Sequence, residues 1–369
     1  MQGKEGRGPP PLFLPPVATE ARPENISWIR GFRRPGVVPG LGLFLVALLL
    51  VWLGVNLYQK PSDFLSVALE GLTLGLVYGL IALGYSLVYG ILELINFAHG
   101  DVFMLGSWIS LSVAAHKIGL NETTSGFAVV WGLALTLLAA MAFCGFLNVA
   151  IERVAYRPLR NAPRLAPLIT AIGMSFILQD VGLNRLGPAP VSVPNILPTG
   201  AVFTIGGHEY RWSSLIVAVA TLPILFLLIW LVQRTRQGKA MRATAQDQEA
   251  AAMMGINVNR TISFTFLIAG ALAGVAGLLY ALYSTNIQFD QGFTLGLIAF
   301  TAAVLGGIGN LPGAVLGAIL IGLIQQFNEG LSWHAPGSDW TQSIVFAILI
   351  LILVFRPEGL LGERTPEGG

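Results

Sequence analysis

The sequence predicts an all-α fold, a polytopic transmembrane helical bundle. Of its 369 residues, 54% are hydrophobic and 11% are charged. Soluble domains carry about a quarter charged residues, so a chain of this composition would expose more apolar surface than water tolerates. The apolar residues also form continuous stretches rather than alternating ones, which favours membrane helices over the strands of a membrane barrel. The charges that remain are collected between these stretches.

The chain holds about ten apolar stretches of membrane-spanning length. A helix needs about 20 apolar residues to cross the hydrocarbon core of a bilayer. The last four stretches are short or interrupted by glycine, so eight or nine crossings are alternatives to ten. The stretches lie at about 41–58, 64–91, 97–116, 127–151, 166–183, 213–232, 262–284, 293–309, 312–330 and 340–356.

The distribution of positive charge predicts the orientation. With ten crossings and a cytoplasmic N-terminus, the inside segments are 1–40, 152–165, 233–261 and the C-terminal tail. These segments hold seventeen of the 21 Lys and Arg residues, and four lie outside: Lys60, Lys117, Arg185 and Arg211. Lys and Arg accumulate in cytoplasmic loops, so both termini are expected to be cytoplasmic.

The chain is predicted to have four parts. Residues 1–40 are a proline-rich cytoplasmic arm without an apolar period. Residues 41–60 are an extra anchor helix, which lies too far along the chain for an ordinary signal peptide. The main membrane domain covers 61–362 and is followed by a cytoplasmic tail at 363–369. The longest outside loop, 184–212, either caps the bundle or meets a partner.

Glycines spaced four residues apart indicate where the helices pack closely. Gly71, Gly75 and Gly79 share one helix face, and Gly270 with Gly274 and Gly313 with Gly317 repeat the spacing. Lipid gives helices little hydrophobic reason to associate, so close backbone approach over small residues supplies the attraction. Two glycine breaks, near Gly100 and within 306–313, lie in corresponding positions of two halves, which indicates an inverted repeat.

The segment at about 233–261 is too polar and too short to cross a membrane. Its middle is rich in alanine and favours a helix, and Gly255 stands where a left-handed residue would end that helix. A short helix with small side chains fits closely into a groove of another protein, and its two ends are tied to membrane helices. Glu249, Ala250, Ala251 and Gly255 resemble the motif by which permeases of bacterial ATP-binding-cassette (ABC) importers dock onto their ATPase subunits.

Further blocks across 62–362 resemble the permeases of branched-chain amino acid ABC importers. The resemblance implies a heteromeric complex with a homologous second permease, two ATP-binding-cassette ATPase subunits and a periplasmic or extracellular substrate-binding protein, in the inner membrane of a bacterium. The arm and anchor at 1–60 depart from the usual family pattern. The blocks are Gly71-Leu72-Thr73-Leu74-Gly75, Ala82-Leu83-Gly84-Tyr85, 95–101, 152–160 and 300–309.

Two sets of residues are candidates for the translocation path. Asn96 and His99 are three residues apart, so they are expected to share a helix face beside a kink at Gly100. In the alternative, both satisfy nearby backbone groups and Asp101 caps the following helix. The second set lies at the other glycine break and comprises Gly306, Gly307, Gly309 and Asn310.

The sequence gives no sign of catalytic chemistry. The pair Gly238-Lys239 is followed by Ala240 and lacks the glycine that a phosphate-binding loop requires five residues earlier, so ATP is expected to be used by partner subunits and no cofactor by this chain. The four histidines have no metal-like spacing. A net charge of +2 without a basic, aromatic-rich run excludes a nucleic-acid partner and leaves membrane lipid as the surroundings.

Three alternatives frame the function. Nearly charge-free spans suit branched-chain or other apolar amino acids, and equally urea or short amides. An ion-coupled secondary transporter would be expected to place paired carboxylates in mid-span, and we identify none in the sequence. A scaffold without transport would not account for the docking motif.

Overall fold

The computed structural model describes residues 37–362 apart from 125, 161, 164, 199, 206 and 207. The predictions for residues 1–36 of the arm and for the tail at 363–369 therefore lie outside the described residues. The chain forms two compact units, 1–55 and 56–369. The described part of the first unit is helical from Val37, so the helix begins inside the predicted arm.

Helices dominate the described residues, which confirms the all-α prediction. The twelve α-helices described are α1 (Val37–Gln59), α2 (Pro61–Leu92), α3 (Ala98–Leu111), α4 (Phe127–Ile151), α5 (Leu165–Leu186), α6 (Trp212–Arg234), α7 (Arg236–Gln246), α8 (Gln248–Met253), α9 (Val258–Ser284), α10 (Gln291–Gly306), α11 (Leu311–Gly330) and α12 (Thr341–Phe355). Short strands are β1 (Val191–Ser192), β2 (Ala201–Ile205), β3 (His208–Arg211) and β4 (Asn286–Ile287).

Seven helices of the described chain are long and apolar enough to cross a membrane, namely α2, α4, α5, α6, α9, α11 and α12 with the turn before it. The predicted stretches 97–116 and 293–309 correspond to α3 and α10, which have 14 and 16 residues. The predicted count of ten crossings therefore remains a prediction.

Two helices, α3 and α4, continue into segments that are not α-helical, which the sequence did not predict. α3 passes into a π-helix at Ser112–Ile118, so the stretch expected at 97–116 has two windings. α4 passes into a π-helix at Glu152–Tyr156 and a 3-10 turn at Arg157–Leu159, eight residues beyond the predicted end at 151. Such departures from α winding are frequent at functional sites.

The predicted glycine faces are helix crossings. A Cβ at Gly75 would lie 2.7 Å from Ile319 Cα of α11, and one at Gly71 would lie 3.0 Å from Leu323 Cα. Gly79 is looser, with its nearest neighbours at 3.8 Å. On α9, Gly270 and Gly274 pack directly on backbone carbonyls of α4. Close packing over glycine therefore holds α2 to α11 and α9 to α4.

The packing pattern repeats between α2–α5 and α9–α12. The first helix of each set packs most extensively on the third helix of the other, and the two second helices, α3 and α10, touch each other. Glu70, on the first half of α2, lies near Tyr283 at the end of α9, whereas Ile91 at the other end of α2 contacts Gln248, which precedes α9, so these helices run in opposite directions. This arrangement supports the inverted repeat.

In the structure, a different pair of helix breaks corresponds between the two halves. The residues that cap the C-terminal ends of α2 and α9 are Glu93 and Thr285, and both have positive φ (52° and 56°). Seven residues after each stands a glycine, Gly100 or Gly292, in the next helix. Our pairing of 96–101 with 306–313 was therefore wrong, because 307–310 links α10 to α11 and the counterpart of 93–97 is 285–290.

The segment predicted as a long loop at 184–212 contains secondary structure. β1 pairs antiparallel with β4, and β2 pairs antiparallel with β3. Tyr210 on β3 and Thr73 on α2 share a hydroxyl hydrogen bond of 2.8 Å. The hairpin is thus fastened to the bundle, as a cap would be.

Candidate functional site

The predicted docking segment begins with α7, which is fixed against the end of α6. The hydroxyl of Thr235 accepts from the N–H of Gly238 at 3.1 Å and caps α7. A Cβ at Gly238 would collide with the carbonyl of Val232, so only glycine permits this turn. Arg242 adds a hydrogen bond from its guanidinium to the same carbonyl. A displacement of α7 is therefore carried directly to α6.

The segment contains two short helices rather than the single alanine-rich helix we expected. Asp247 has extended backbone angles, which ends α7, and its carboxylate caps α8. It accepts from the N–H groups of Glu249 and Ala250 at 2.8 and 2.9 Å. An aspartate cap competes with helix continuation, which explains why the alanine-rich stretch breaks here.

The end of α8 confirms the prediction for Gly255. Its φ is +83°, and its N–H donates to the carbonyl of Ala252 at 3.0 Å. The N–H of Ile256 donates to Ala251 at 3.0 Å, so both bonds of a Schellman ending are present. Ala251 is buried, whereas Met253 and Met254 are 82% and 84% exposed. The turn therefore presents flexible apolar side chains outward.

The docking segment also contacts the core helices. α9 starts directly after it, with Asn257 capping the N–H of Arg260 at 3.0 Å. The amide of Gln248 donates to the carbonyl of Ile91 at the end of α2, at 3.4 Å. The segment thus joins α6, α9 and the end of α2, and α2 and α9 are the first helices of the two halves.

A buried ion pair beside this segment was not singled out from the sequence. Glu152 is fully buried and pairs with Arg160. The other carboxylate oxygen accepts from Ser263 at 2.7 Å, and Arg160 donates to Asn259 at 2.7 Å. Burial lowers the pKa of the Arg160 guanidinium and Glu152 opposes that shift. The pair holds the start of α9, where Asn259 and Ser263 lie, to the turn after α4.

The starts of α3 and α10 meet at the centre of the packing between the halves. A Cβ at Gly292 would lie 2.7 Å from the carbonyl oxygen of Gly100, and a Cβ at Gly100 would collide with the carbonyl of Gly292. The hydroxyl of Tyr85 lies 3.0 Å from the position of a Cβ at Gly296. Gly100 therefore permits close approach rather than the kink we predicted.

Asn96 and His99 are buried at this junction. Asn96 precedes α3 rather than sharing a helix face with His99, which corrects the prediction. The hydroxyl of Tyr156 donates to the Asn96 side chain at 2.6 Å. The ring of His99 fills the space left by Gly84 and packs edge-on against Tyr85, with centroids 4.9 Å apart. Neither side chain reaches solvent in this conformation.

Asp101 is not the helix cap that we considered. It lies inside the first turns of α3, while Phe97 occupies the cap position. Its carboxylate accepts from Ser175 on α5 at 2.5 Å, and Ser175 also accepts from Gln179 at 3.1 Å. Five polar atoms in the junction have no hydrogen-bond partner among the described residues: Asn96 Nδ2, His99 Nδ1 and Nε2, Asp101 Oδ1 and Gln291 Nε2. Unpaired buried polar atoms are costly, so such a cluster is unusual in a packed core.

A comparison with known protein families covers the same part of the chain. A family model described as "Branched-chain amino acid transport system / permease component" matches residues 67–354, which includes the junction, the docking segment and both halves. The chain belongs to this family.

Two of three individual relatives match this permease over nearly their whole length. BraD of Pseudomonas aeruginosa, a high-affinity branched-chain amino acid transport permease, is 39% identical over 307 residues, 82% of this chain and 97% of BraD. LivH of Escherichia coli K12, with the same description, is 39% identical over 310 residues and has the same coverage. LivM of the same strain is 25% identical over 354 residues, 88% of this chain and 76% of LivM.

The second set of predicted path residues lies at the far end of α10. Gly307 and Gly309 have positive φ, and the N–H of Gly309 donates to Ser86 at 2.9 Å. The side chain of Asn310 caps Gly313 and donates to the carbonyl of Leu361 at 2.7 Å. Gly306 accepts from the N–H of Leu361 at 2.9 Å.

These residues meet the docking segment rather than Asn96 and His99. A cavity of about 530 Å³ lies between Gly309 and Asn310 on one side and Arg242 and Ala245 of α7 on the other. Among the described residues, no group of three or more His, Cys, Asp or Glu side chains could hold a metal ion.

Proposed function

We propose that this chain is the membrane-spanning permease of an ABC importer that moves branched-chain or other apolar amino acids into the cytoplasm. Transport proceeds by ATP-driven alternating access, with ATP hydrolysed on partner subunits and no cofactor in this chain. The names of relatives that match over 97% of their length support the cargo. The N- and C-termini lie in the cytoplasm, as the charge distribution favours.

The observation that carries the proposal is the attachment of the docking segment. Glu249, Ala250, Ala251 and Gly255 lie on α8 and its ending, which lead through Asn257 into α9. Since α7 is fixed to α6 and Gln248 reaches α2, a push on the segment acts on three core helices together. An ATPase that binds there can therefore drive a rearrangement of the bundle.

The proposed complex contains a homologous second permease, two ATPase subunits and an external substrate-binding protein. The chain matches both LivH and LivM of one bacterial strain, which favours pairing of two related permeases. Seven helices in the described part of the chain are suited to lipid, which makes the chain a multi-pass membrane protein. The inner membrane of a bacterium is its proposed location.

We place the translocation path along the junction between α3 and α10 and along the loop 307–310 between α10 and α11. Asn96 and His99 form one stage, and Gly306, Gly307, Gly309 and Asn310 form the other, next to α7. The unpaired polar atoms beside Asn96 would gain partners when the junction opens to water or solute. Opening therefore costs less here than in a fully satisfied core.

Two alternatives remain distinguishable. A urea or amide importer would use the same architecture with a different binding protein. An ion-coupled transporter would need carboxylates that share an ion, but in the described core Asp101 is bonded to Ser175, and Glu152 is paired with Arg160.

Copurification tests the proposal. The tagged full chain, extracted from its native membrane in mild detergent, is expected to retain an ATPase and a second permease, identified by mass spectrometry. A variant with Met253 and Met254 changed to Asp should lose the ATPase but keep the second permease. Recovery of the wild-type chain alone, with ion-driven uptake, would favour the secondary transporter.

A further inference from the structure

A cavity of about 300 Å³ lies beside strand β3, on the face that the proposed orientation places outside. Glu209 and Arg211 are two residues apart on the strand, so their side chains project to the same side. Both line the cavity. Tyr210 between them is buried on the other side, where it bonds Thr73 and stacks on Phe203 with centroids 5.2 Å apart. The strand therefore presents one positive and one negative charge from a fixed backbone.

The positive end of the cavity is suited to a carboxylate. The guanidinium of Arg211 is exposed and makes no hydrogen bond or salt bridge among the described residues, and the Glu70 carboxylate lies within electrostatic reach of it. Arg211 also occupies the N-cap position of the 23-residue helix α6, and Ser213 of the first turn of α6 lines the cavity. Free N–H groups at a helix start and a planar guanidinium both favour a carboxylate.

One part of the cavity lining is apolar. It includes Ile196, Leu197 and Leu282, and Tyr283 lies next to Leu282. Thr285, which also lines it, has φ of 56°, a left-handed conformation that a β-branched residue rarely adopts. Its carbonyl accepts from the N–H of Val193 at 2.7 Å, which holds the segments on either side together. Backbone strain of this kind is found at ligand sites.

We propose that this cavity binds the zwitterion of an apolar α-amino acid, with Arg211 on the carboxylate, Glu209 on the ammonium and the apolar wall on the side chain. The assignment rests on the proposed function and adds a receiving site on the permease itself. The neighbouring cavity of about 290 Å³ shares Glu209 and Arg211 but is also lined by Glu70, whose carboxylate disfavours a ligand carboxylate there. The first cavity is therefore the site.

Concavity favours a small solute over a docked protein. A volume of about 300 Å³ lies at the lower end of the usual range for small-molecule sites. A matching apolar wall has no use in a purely electrostatic contact with a binding protein. The experiment must therefore distinguish binding of a small solute from docking of the binding protein at Glu209 and Arg211.

The test uses the full complex in lipid nanodiscs without binding protein. Saturation-transfer NMR measures binding of leucine and of 4-methylpentanoate, which has the same branched chain and carboxylate but no ammonium. Arg211→Gln is expected to weaken both by about ten-fold or more, as loss of a charge-assisted bidentate pair would. Glu209→Gln should weaken leucine and leave 4-methylpentanoate unchanged. The exposed residue Lys117 supplies a control, Lys117→Gln, which should change neither.

Three results would overturn the site. They are no leucine signal with the wild type, equal signals in all variants, or an unchanged leucine signal in Arg211→Gln together with a raised binding-protein concentration for half-maximal ATPase stimulation. The third would assign the surface to the binding protein. Uptake by the wild type with its binding protein is measured in parallel. Normal leucine uptake without NMR binding contradicts the site alone, whereas absent uptake contradicts the proposed function.

Discussion

The crossing of α3 and α10 is the tightest test of how the two halves pack. In Gly292→Ala, the new Cβ would lie 2.7 Å from Gly100 O and 2.8 Å from both Cα and Oδ1 of Asp101. Ordinary contacts between such atoms begin near 3.5 Å, so the neighbours must move by about 0.7 Å. Two of the three are backbone atoms, which cannot rotate away. Overpacking of this kind costs about 1–3 kcal/mol.

A matched control separates packing from helix propensity. Alanine is favoured over glycine inside a helix by about 1 kcal/mol, and this gain offsets part of the cost. Gly173 is also helical but has nothing within 4 Å of its Cβ position. Gly173→Ala should therefore gain stability. The difference in stability between Gly173→Ala and Gly292→Ala isolates the packing cost.

The assay is thermal unfolding of the purified complex in one detergent, followed by fluorescence-detected size exclusion. We expect Gly292→Ala to melt several degrees below Gly173→Ala, since about 2–4 °C corresponds to 1 kcal/mol in domains of this size class. Gly100→Ala should fall at least as far, because its Cβ would collide with the carbonyl of Gly292. Equal melting temperatures of Gly292→Ala and Gly173→Ala would refute the close contact between α3 and α10.

Three further predictions concern coupling, the ion pair and orientation. Gly255→Val should leave the complex assembled but abolish substrate-stimulated ATP hydrolysis, whereas Gly255→Asn, which tolerates positive φ, should keep much of it. If Val retains full stimulation, the segment does not couple. Glu152→Gln leaves Arg160 without its charge partner and should lower the free energy of unfolding by about 3–5 kcal/mol; a change near zero would contradict the burial of the pair. A cysteine at Lys117 should react with an impermeant thiol reagent in intact cells, and one at Met254 should not; labelling at Met254 from outside would reverse the orientation.

The elements best predicted from sequence were those fixed by local chemistry. Each of the ten apolar stretches corresponds to a helix, and the left-handed ending at Gly255 was predicted because few residues besides glycine accept its φ of +83°. The four-residue spacing of glycines likewise predicted that Gly71 and Gly75 lie where two helices pack closely. These features depend on residues close together in the chain.

The errors arose where distant residues decide the outcome. Gly100 suggested a kink because its partner, Gly292, is far away in sequence. The internal repeat was misaligned because the left-handed helix ends at Glu93 and Thr285 are not glycines and carry no local signal. Comparing 95–100 with 287–292, where Ile and Phe recur at equal spacing before glycine, would have revealed it.

Charged residues inside the fold were missed for the same reason. Glu152 is buried because Arg160, Asn259 and Ser263 converge on the turn after α4. Hydropathy along one stretch cannot report such a meeting of elements.

The central claim is most directly tested by uptake of radiolabelled solute into proteoliposomes. The complete complex is reconstituted with its cognate binding protein and internal ATP, and uptake of leucine, isoleucine, valine, urea, lysine and glutamate is compared. We expect ATP-dependent uptake of leucine, isoleucine and valine, with none of lysine or glutamate. Uptake of urea without leucine would contradict the amino-acid assignment, and leucine uptake that ignores ATP but follows an ion gradient would contradict the importer itself.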